Sequence, residues 1–392
     1  MAKRIRGKNE GSLSQRSNGR WRAQISEKGG RRISRDFKTK PEAQNWLRKM
    51  QEKLHQGYDY QASKIPLGQY LLQWLEDNRS TLRDTTAHQY KLITNKHILP
   101  GIGDIPVKEL NLARIEQFYR EMIEAGVGIR TVRYVHAILH KALAKAVYYG
   151  LVLTNPAHGA ALPRLRHSEM QILDESQISL FLIASVDSKY HALYHLAITT
   201  GLRQAELFGL RWSDLQWTSG VLHVQRQVQR VTSQGWQFVE PKTRAGRRSI
   251  QLGEGALQVL REHKLRQEQE KLLAGSRWQE HNLIFPNSVG APGDPSNLRK
   301  DFLRILEQAG LPKLRFHDLR HTAASLLLNH NVPVIVVSNM LGHSKPSVTL
   351  DVYGHLMNSM QGEAARIMDA LVTPVPVSLT AKAQQDASMG KV

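Results

Sequence analysis

The chain has 392 residues, of which 41% are hydrophobic and 22% charged, so it can bury ordinary cores but is too long for a single one. Its 54 Lys and Arg against 34 Asp and Glu leave a net charge of +20, and the absence of cysteine excludes disulfides and thiolate-bound zinc. No apolar run could span a membrane, and no N-terminal stretch resembles a signal peptide. These features predict a cytoplasmic protein with a polyanionic partner, nucleic acid rather than an anionic membrane. A merely solvated basic surface is the alternative.

The sequence pattern changes along the chain in a way that predicts three domains and a tail. Residues 1–57 hold the largest basic excess, residues 63–160 have a helical pattern throughout, and residues 170–372 combine helices with a few strands. Residues 373–392 are small and polar and are expected to be loose. The predicted fold class is mainly α within a multidomain α+β protein. It comprises a small three-stranded sheet plus helix, a helical bundle and a mixed α/β domain.

The first module is strongly basic. Residues 1–57 contain sixteen Lys and Arg against five Asp and Glu, a net charge of +11. Residues 1–20 show no period and are expected to form a flexible arm until they bind. Apolar and polar residues alternate over residues 21–26 and over residues 33–37, which predicts two strands with one buried face, joined by a Gly-Gly turn.

A helix is predicted to follow these strands. Thr39 and Glu42 have the spacing of a capping box with Pro41 in the first turn, and Gly57 is expected to end the helix. A small sheet with a basic exposed face can enter a DNA major groove, although a mini-domain with solvated arginines is the alternative. The candidate DNA contacts here are Arg20, Arg22, Arg31, Arg32 and Arg35.

Residues 63–160 show apolar stripes that predict four helices with short loops, and the stripes are interpreted as core. The second helix, over residues 85–97, is expected to end before Leu99-Pro100-Gly101. Residues 101–103 are interpreted as a turn and not as a phosphate loop. The last helix, over residues 130–149, carries the candidate DNA contacts Arg130, Arg133, Lys141 and Lys145.

Residues 170–372 are predicted to contain a β-insert with strands over residues 221–227, 235–239 and 248–252. A turn rich in cations separates the last two strands and suits contact with a DNA backbone or groove. A solvated turn is the alternative. Its candidate residues are Lys242, Arg244 and Arg247.

A glycine turn before Leu202 leads into a predicted helix whose first turn presents Arg203 and Glu206. Their i, i+3 spacing places the two side chains on one face. A guanidinium held by a carboxylate suits the non-bridging oxygens of a phosphate. Alone the signal is weak, because such pairs are common on helix surfaces.

His317 and Arg320 also share one helical face. A proton-transfer group beside a second guanidinium is the pair that phosphodiester chemistry requires. Zinc binding by His317 and His321 is the competing interpretation, but it needs a third ligand and tolerates a neighbouring arginine poorly.

The last cluster consists of His343 in a Leu-Gly-His-Ser turn and Tyr353 before a glycine. Taken singly, such residues are more often a helix cap and a packed surface tyrosine. Taken together and in order with the earlier clusters, they make a pattern that resembles the tyrosine recombinase (phage integrase) family. The elements of that resemblance are Arg203 in Gly-Leu-Arg-x-x-Glu-Leu, Lys242 in a hairpin, His317-x-x-Arg320, His343 after Leu-Gly, and Tyr353 ten residues further on.

The resemblance implies a site-specific DNA recombinase in which Tyr353 is the nucleophile and forms a 3′-phosphotyrosine. It implies that Arg203 and Arg320 clamp the phosphate, that Glu206 supports Arg203, and that Lys242 is the general acid. His317 would assist proton transfer, and His343 would hydrogen-bond the phosphate. Because the phosphotyrosine conserves the bond energy, no cofactor, ATP or metal is implied.

The resemblance also implies partners. They are double-stranded DNA at core-type and arm-type sites, a homotetramer assembled on DNA, and accessory DNA-bending or directionality proteins. Residues 1–57 resemble the arm-binding domain, and residues 63–160 the core-binding domain. The helix near residues 362–371 and the tail beyond it are expected to dock on a neighbouring protomer, or else to be a loose end.

Two alternatives share some of these features. A type IB topoisomerase has the same chemistry but does not need an arm-binding module. A DNA-binding regulator without catalysis would have lost at least one catalytic group, and none is missing here.

Overall fold

The computed structural model describes residues 11–27, 31–165, 170–231, 235–241, 243–354 and 360–372. The chain divides into two compact units, residues 1–167 and residues 168–392. None of the helices in the described ranges combines the length and apolar character that crossing a membrane requires. The further division of the first unit into an arm-binding and a core-binding domain stays a prediction.

The first unit begins with a three-stranded antiparallel sheet packed on one helix. Its elements are β1 (Ser12–Gln15), β2 (Trp21–Ser26), β3 (Arg32–Phe37) and α1 (Lys40–His55), with β2 in the centre of the sheet. The predicted capping box is present, since the Thr39 hydroxyl accepts from the backbone of Glu42 and the Glu42 carboxylate accepts from the backbone of Thr39. Alternate strand residues and one face of α1 form the core, made of Ala23, Ile25, Ile33, Ala43, Leu47 and Met50.

Strand β1 corrects the expectation that all of residues 1–20 form a flexible arm. Leu13 stands opposite Ala23 in the ladder and packs against the small core. One apolar side chain in a four-residue strand is too short a pattern to show a period, but it suffices to dock the strand. The predicted turn at Gly29 and Gly30 lies outside the described residues.

Helices dominate residues 67–148 of the first unit. They are α2 (Leu67–Asp77), α3 (Asp84–Ile93), α4 (Leu99–Ile102), α5 (Leu112–Glu124) and α6 (Ile129–Tyr148). The predicted apolar stripes are buried except at Leu112, which is 40% exposed, and they meet in one core that includes Leu67, Trp74, Ile115, Phe118, Ile138 and Leu143. The helical bundle predicted for this region is confirmed.

The second predicted helix does not end where the sequence suggested. Helix α3 continues through a π-turn over Thr94–Ile98 directly into α4, and Pro100 lies in the first turn of α4. The π-turn uses an i→i+5 bond from the Leu99 N–H to the Thr94 carbonyl. Proline lacks an N–H but is tolerated in a first helical turn, so the chain stays helical past it.

The second unit is mainly helical. Its helices are α7 (Glu175–Ala184), α8 (His191–Thr200), α9 (Gln204–Leu207), α10 (Glu254–Ala274), α11 (Pro295–Gln308), α12 (Asp318–Asn329), α13 (Val334–Leu341), α14 (Pro346–Tyr353) and α15 (Met360–Val372). Buried α8 packs against both α10 and α12, and a large core surrounds it. This arrangement brings the ends of several short helices to one place.

The β-insert of this unit has more strands than predicted. They are β4 (Leu215–Gln216), β5 (Val221–Val224), β6 (Gln227–Val231), β7 (Gly235–Val239) and β8 (Arg248–Gln251). The expected strand over residues 221–227 is broken, because Arg226 pairs with the buried carboxylate of Asp214. The chain therefore leaves the β4-β5-β8 sheet and starts a separate β6-β7 hairpin.

Candidate active site

The first group of site residues lies where α8 ends. Gly201 adopts the left-handed conformation with φ of 62°, and a Cβ there would lie 2.5 Å from Leu341, so only glycine fits this turn. Arg203 follows, just before α9. Its Nη1 donates to Oε1 of Glu206 at 2.8 Å, and its backbone N–H donates to Oε2 at 3.0 Å. The Arg203 side chain is thus anchored at one end while 38% of it stays exposed.

A second arginine holds the same carboxylate from the opposite element. Arg248, at the start of β8, donates from Nη2 to Oε2 of Glu206 at 2.9 Å. Its Nε donates to the carbonyl of Met340 at 2.6 Å, and its Nη1 donates to that of Gly246 at 3.1 Å. Arg248 therefore joins the β-insert, α9 and the end of α13.

A third arginine lies in the first turn of α12. The side chain of Arg320 is buried, with Nη1 donating to the carbonyl of Gly201 at 2.7 Å and Nη2 donating to that of Leu341 at 2.8 Å. These bonds fix the guanidinium between the ends of α8 and α13. They use two of its five N–H groups.

We call Arg203, Arg248, Arg320 and Glu206 the arginine cluster. Arg203 and Arg248 donate to the Glu206 carboxylate, whose charge also acts on Arg320, so three guanidiniums surround one carboxylate and leave an excess of positive charge. Burial, followed by the charge of Arg203, lowers the pKa of Arg320 to about 9. Burial acts to raise the pKa of Glu206, but the hydrogen bond and charge of Arg248, with those of Arg203, outweigh it and hold that pKa below its ordinary value. An anion with several oxygens, such as a phosphate, would relieve the excess.

Two histidines flank the arginine cluster. His317 directly precedes α12, and His343 follows Gly342, which ends α13 with φ of 70°. Nδ1 of His343 lies 2.8 Å from Oγ1 of Thr349. Burial, with the charges of neighbouring groups, lowers the pKa of His317 and that of His343 to about 4 each, although His317 keeps an exposed edge. Both imidazoles are therefore neutral near pH 7.

Tyr353 is the last residue of α14 and is only 2% exposed. Its ring packs against apolar residues of α12 and α13, among them Leu328 and Leu341. The hydroxyl lies 2.6 Å from Nδ1 of His321. Burial raises the pKa of Tyr353 to about 12, while the charge of Arg320 acts to lower it.

The structure thus brings together Arg203, His317, Arg320, His343 and Tyr353, which influence one another electrostatically. Glu206 belongs to the same place. In the part of the chain that the structure describes, no group of three or more His, Cys, Asp or Glu side chains could hold a metal ion.

The basic hairpin residues are placed differently. Lys242 lies outside the described residues. Arg244 begins a short 3₁₀ turn and is exposed, and Arg247 pairs with Glu240 at the surface. Neither arginine is part of the arginine cluster.

The candidate DNA contacts of the sheet module belong to the first unit. Arg20, Arg31, Arg32 and Arg35 are exposed, whereas Arg22 is half-buried and its Nε donates to Asp36 at 2.8 Å. The charge of Arg22 is therefore largely committed inside the module.

The candidate DNA contacts on α6 also divide into exposed residues and residues that contact other groups of the protein. Arg130 and Lys141 are exposed. Arg133 donates to the carbonyl of Pro163 at 3.2 Å, and Lys145 lies 4.5 Å from the centre of the Tyr148 ring. All four remain candidates, with Arg130 and Lys141 the most accessible.

Sequence reasoning missed two members of the site. The sequence pattern places Arg248 only at the junction of the cation-rich turn and the last strand, and it suggests for His321 only a zinc ligand. The contacts that place each of them in the site, Arg248 with Glu206 and His321 with Tyr353, come from distant segments of the chain, so neither has a local signal in the sequence. The position of His321 directly after Arg320 was the nearest available hint.

A buried tyrosine hydroxyl beside neutral histidines and a positively charged arginine cluster is the set of groups that phosphoryl transfer to a tyrosine requires. Residues 164–360 match the phage integrase family, and residues 67–123 match the N-terminal SAM-like domain of phage integrases.

Two relatives are similar over most of their length. A XerC-like tyrosine recombinase of Caldanaerobacter subterraneus subsp. tengcongensis is 28% identical over 366 residues, which are 88% of this chain and 94% of the relative. An integrase of Streptomyces ambofaciens is 28% identical over 385 residues, which are 95% of this chain and 98% of the integrase.

The integrase of transposon Tn1549, solved in complex with a circular intermediate DNA, shares the fold. Its TM-score is 0.67 at 22% identity, covering 77% of this chain and 99% of that chain. The chain belongs to the phage integrase family. It is a site-specific tyrosine recombinase of the integrase type, as the sequence predicted.

Proposed function

We propose that this recombinase integrates or excises a mobile element by cutting DNA with Tyr353. The phenolic oxygen attacks a backbone phosphorus, forms a 3′-phosphotyrosine and releases a 5′-hydroxyl. The 5′-hydroxyl of a partner strand then attacks the phosphotyrosine, which rejoins the strands and frees the tyrosine. The observation that carries this proposal is the Tyr353 hydroxyl held beside a cluster with an excess of positive charge.

The arginine cluster supplies the charge stabilisation. Arg203 and Arg320 are proposed to hold the two non-bridging oxygens, because each is anchored by part of its guanidinium and keeps other N–H groups for a ligand. Glu206 supports Arg203. Negative charge added on the pentacoordinate phosphorus would be stabilised by groups already in place.

Three further groups are proposed to act on protons and on the phosphate. Lys242 would protonate the leaving 5′-oxygen as general acid, and His317 would assist proton transfer. His343 would donate a hydrogen bond to the phosphate from the ring nitrogen that does not face Thr349.

Double-stranded DNA is the proposed partner, at core-type sites and, for the sheet module, at arm-type sites. The exposed residues Arg20, Arg31, Arg32 and Arg35 suit the second role. The Tn1549 integrase was solved in complex with DNA, which supports DNA as the partner.

The accessory partners would be DNA-bending or directionality proteins, and the site of action would be the bacterial cytoplasm.

A homotetramer on DNA is the proposed assembly. Recombination between two duplexes requires four strand cleavages and hence four tyrosines. Helix α15 would join the protomers, because it exposes a row of apolar side chains, Ile367, Met368, Leu371 and Val372. The tail beyond it, residues 373–392, lies outside the described residues.

A suicide substrate with a nick close to the cleavage point tests the proposal, because the released fragment diffuses away and traps the adduct. The wild-type protein should form a covalent adduct, and Tyr353→Phe should form none while binding the same DNA. Tyr148→Phe is a matched control, since Tyr148 is 79% exposed and lies in the other unit. An adduct formed by Tyr353→Phe would refute the assignment of the nucleophile.

A further inference from the structure

The proposed roles give His317 a part in proton transfer but do not name the group that takes the phenolic proton of Tyr353. A phenol with a pKa raised to about 12 is a poor nucleophile near neutral pH, so some group must take the proton as the new bond forms. A general base must lie within hydrogen-bond reach of the proton it removes, about 2.6–3.2 Å between heavy atoms.

His321 meets this requirement. Its Nδ1 lies 2.6 Å from the Tyr353 hydroxyl, and the centres of the two rings are 5.8 Å apart. The apolar packing of Tyr353 between α12 and α13 holds the phenol in this position. His321 lies in the first turns of α12, directly after Arg320, so the acceptor and the phosphate-binding guanidinium share one rigid element.

The other two histidines of the site are placed differently. His343 faces Thr349 through its Nδ1. The ring of His317 lies 5.3 Å from that of His321 and nearly perpendicular to it, and the charges of Arg320 and Arg203 act on it. Among the described residues, His321 is the histidine with a ring nitrogen within hydrogen-bond distance of the Tyr353 hydroxyl.

The surroundings of His321 keep its imidazole neutral, so that it has a free lone pair for a proton. The groups that face it are Asp318, Arg315, Arg320, His317, His343 and Tyr353. Burial is the largest influence and lowers its pKa, Arg315 and Arg320 act in the same direction, and Asp318 opposes them. The imidazole is consequently neutral near pH 7, and its Nδ1 can accept while Nε2 carries the hydrogen.

We propose that His321 is a further catalytic residue, the general base that takes the proton of Tyr353 in the cleavage step. Nδ1 of His321 gains the phenolic proton as the Tyr353 oxygen bonds to phosphorus. The bond from phosphorus to the 5′-oxygen breaks, and that oxygen gains a proton from the general acid. In rejoining, the His321 imidazolium returns its proton to the departing Tyr353 oxygen.

This inference rests on the proposed function, because it assumes that Tyr353 is the nucleophile. Single-turnover cleavage of the suicide substrate should be slower by roughly 10² to 10⁴ in both His321→Ala and His321→Gln, the usual effect of losing a positioned base. Glutamine keeps a hydrogen-bond acceptor without a usable basicity. His330→Gln, at the other end of α12, is the matched control and should cleave at the wild-type rate.

Two chemical changes, one in the nucleophile and one in the leaving group, test whether His321 acts as a base or only positions the phenol. Fluorinated tyrosine at position 353 has a more acidic phenol, so the deficit of His321→Ala should shrink with it. A bridging 5′-phosphorothiolate improves only the leaving group, so the deficit should persist on that substrate. Gel shifts on the same DNA, with circular dichroism, verify that each variant is folded.

Three results would overturn the inference. They are wild-type cleavage by His321→Gln, a deficit that the fluorinated tyrosine does not change, and a deficit that the phosphorothiolate removes. Failure of the proposed function would look different, because then the wild-type protein itself would form no adduct or Tyr353→Phe would form one.

Discussion

The carboxylate of Glu206 accepts a 2.9 Å hydrogen bond from Arg248, and both side chains are buried, with 2% and 7% exposed. The same carboxylate accepts from Arg203, which is partly exposed. Arg248 thus positions the group that orients Arg203, and its Nε bond to Met340 extends this support to the turn that carries His343. A residue remote from the proposed nucleophile in sequence therefore holds two parts of the site.

Arg248→Met should destabilise the second unit by about 3–5 kcal/mol, the usual cost of removing one partner from a buried ion pair. The free energy of unfolding in urea measures this loss. Arg248→Lys keeps the charge without the planar fork and should lose less. The control is Arg261→Met, which removes an exposed ion pair on α10 and should change stability by no more than about 0.5 kcal/mol. Equal stability of the Arg248→Met and Arg261→Met variants would contradict the structural role.

The unfolding free energy should fall as the pH is lowered from about 6.5 to about 4. In the folded state the pKa values of His317 and His343 are lowered to about 4, from an ordinary value of 6.5. Between these values the unfolded chain binds more protons than the folded one, so acidification favours unfolding. The double variant His317→Asn/His343→Asn should show a flatter profile across this interval. An unchanged slope would mean that neither histidine is held neutral.

Lys242→Ala should lose cleavage of ordinary DNA by roughly 10² or more, because a positioned general acid contributes about that much. On a bridging 5′-phosphorothiolate, which leaves without a proton, it should approach the wild-type rate. Arg203→Ala removes charge stabilisation and should stay impaired on both substrates. If sulfur rescues neither variant, Lys242 is a DNA contact and another group supplies the proton.

Arg31→Ala/Arg32→Ala should weaken binding to arm-type DNA and lower the salt dependence of that binding. Each lost phosphate contact should reduce the slope of log K against log salt by about 1. Gel shifts over a salt series measure the slope, and core-site cleavage should survive. Arg114→Ala is the control, because Arg114 pairs with Glu121 on α5 and is not a candidate contact. The same slope for the double variant and the control would give the sheet module another role.

The elements that the sequence predicted well are those with a local cause. Thr39 and Glu42 cap α1 through bonds within four residues, and the α2 stripe repeats at helical spacing. The fold class and the family followed from such patterns together with the ordered motifs around Arg203 and Tyr353.

The features that escaped prediction depend on contacts between distant segments. Arg226 breaks a strand because Asp214 is buried beside it, and the π-turn before Pro100 keeps two helices continuous. His321 reaches Tyr353, and Arg248 reaches Glu206, only after α12, α14, β8 and α9 have packed. His321 and Tyr353 are 32 residues apart in the sequence, and Arg248 and Glu206 are 42 apart, so no local pattern reveals either pair.

The most direct test of the account is the identity of the residue that carries the DNA. Wild-type protein is trapped on a nicked suicide substrate, digested with nuclease and trypsin, and the nucleotide-bearing peptide is sequenced by mass spectrometry. A single modified peptide is expected, with the phosphate on the oxygen of Tyr353. A phosphate on any other side chain, or trapped DNA released by acid as a phosphohistidine would be, would contradict it.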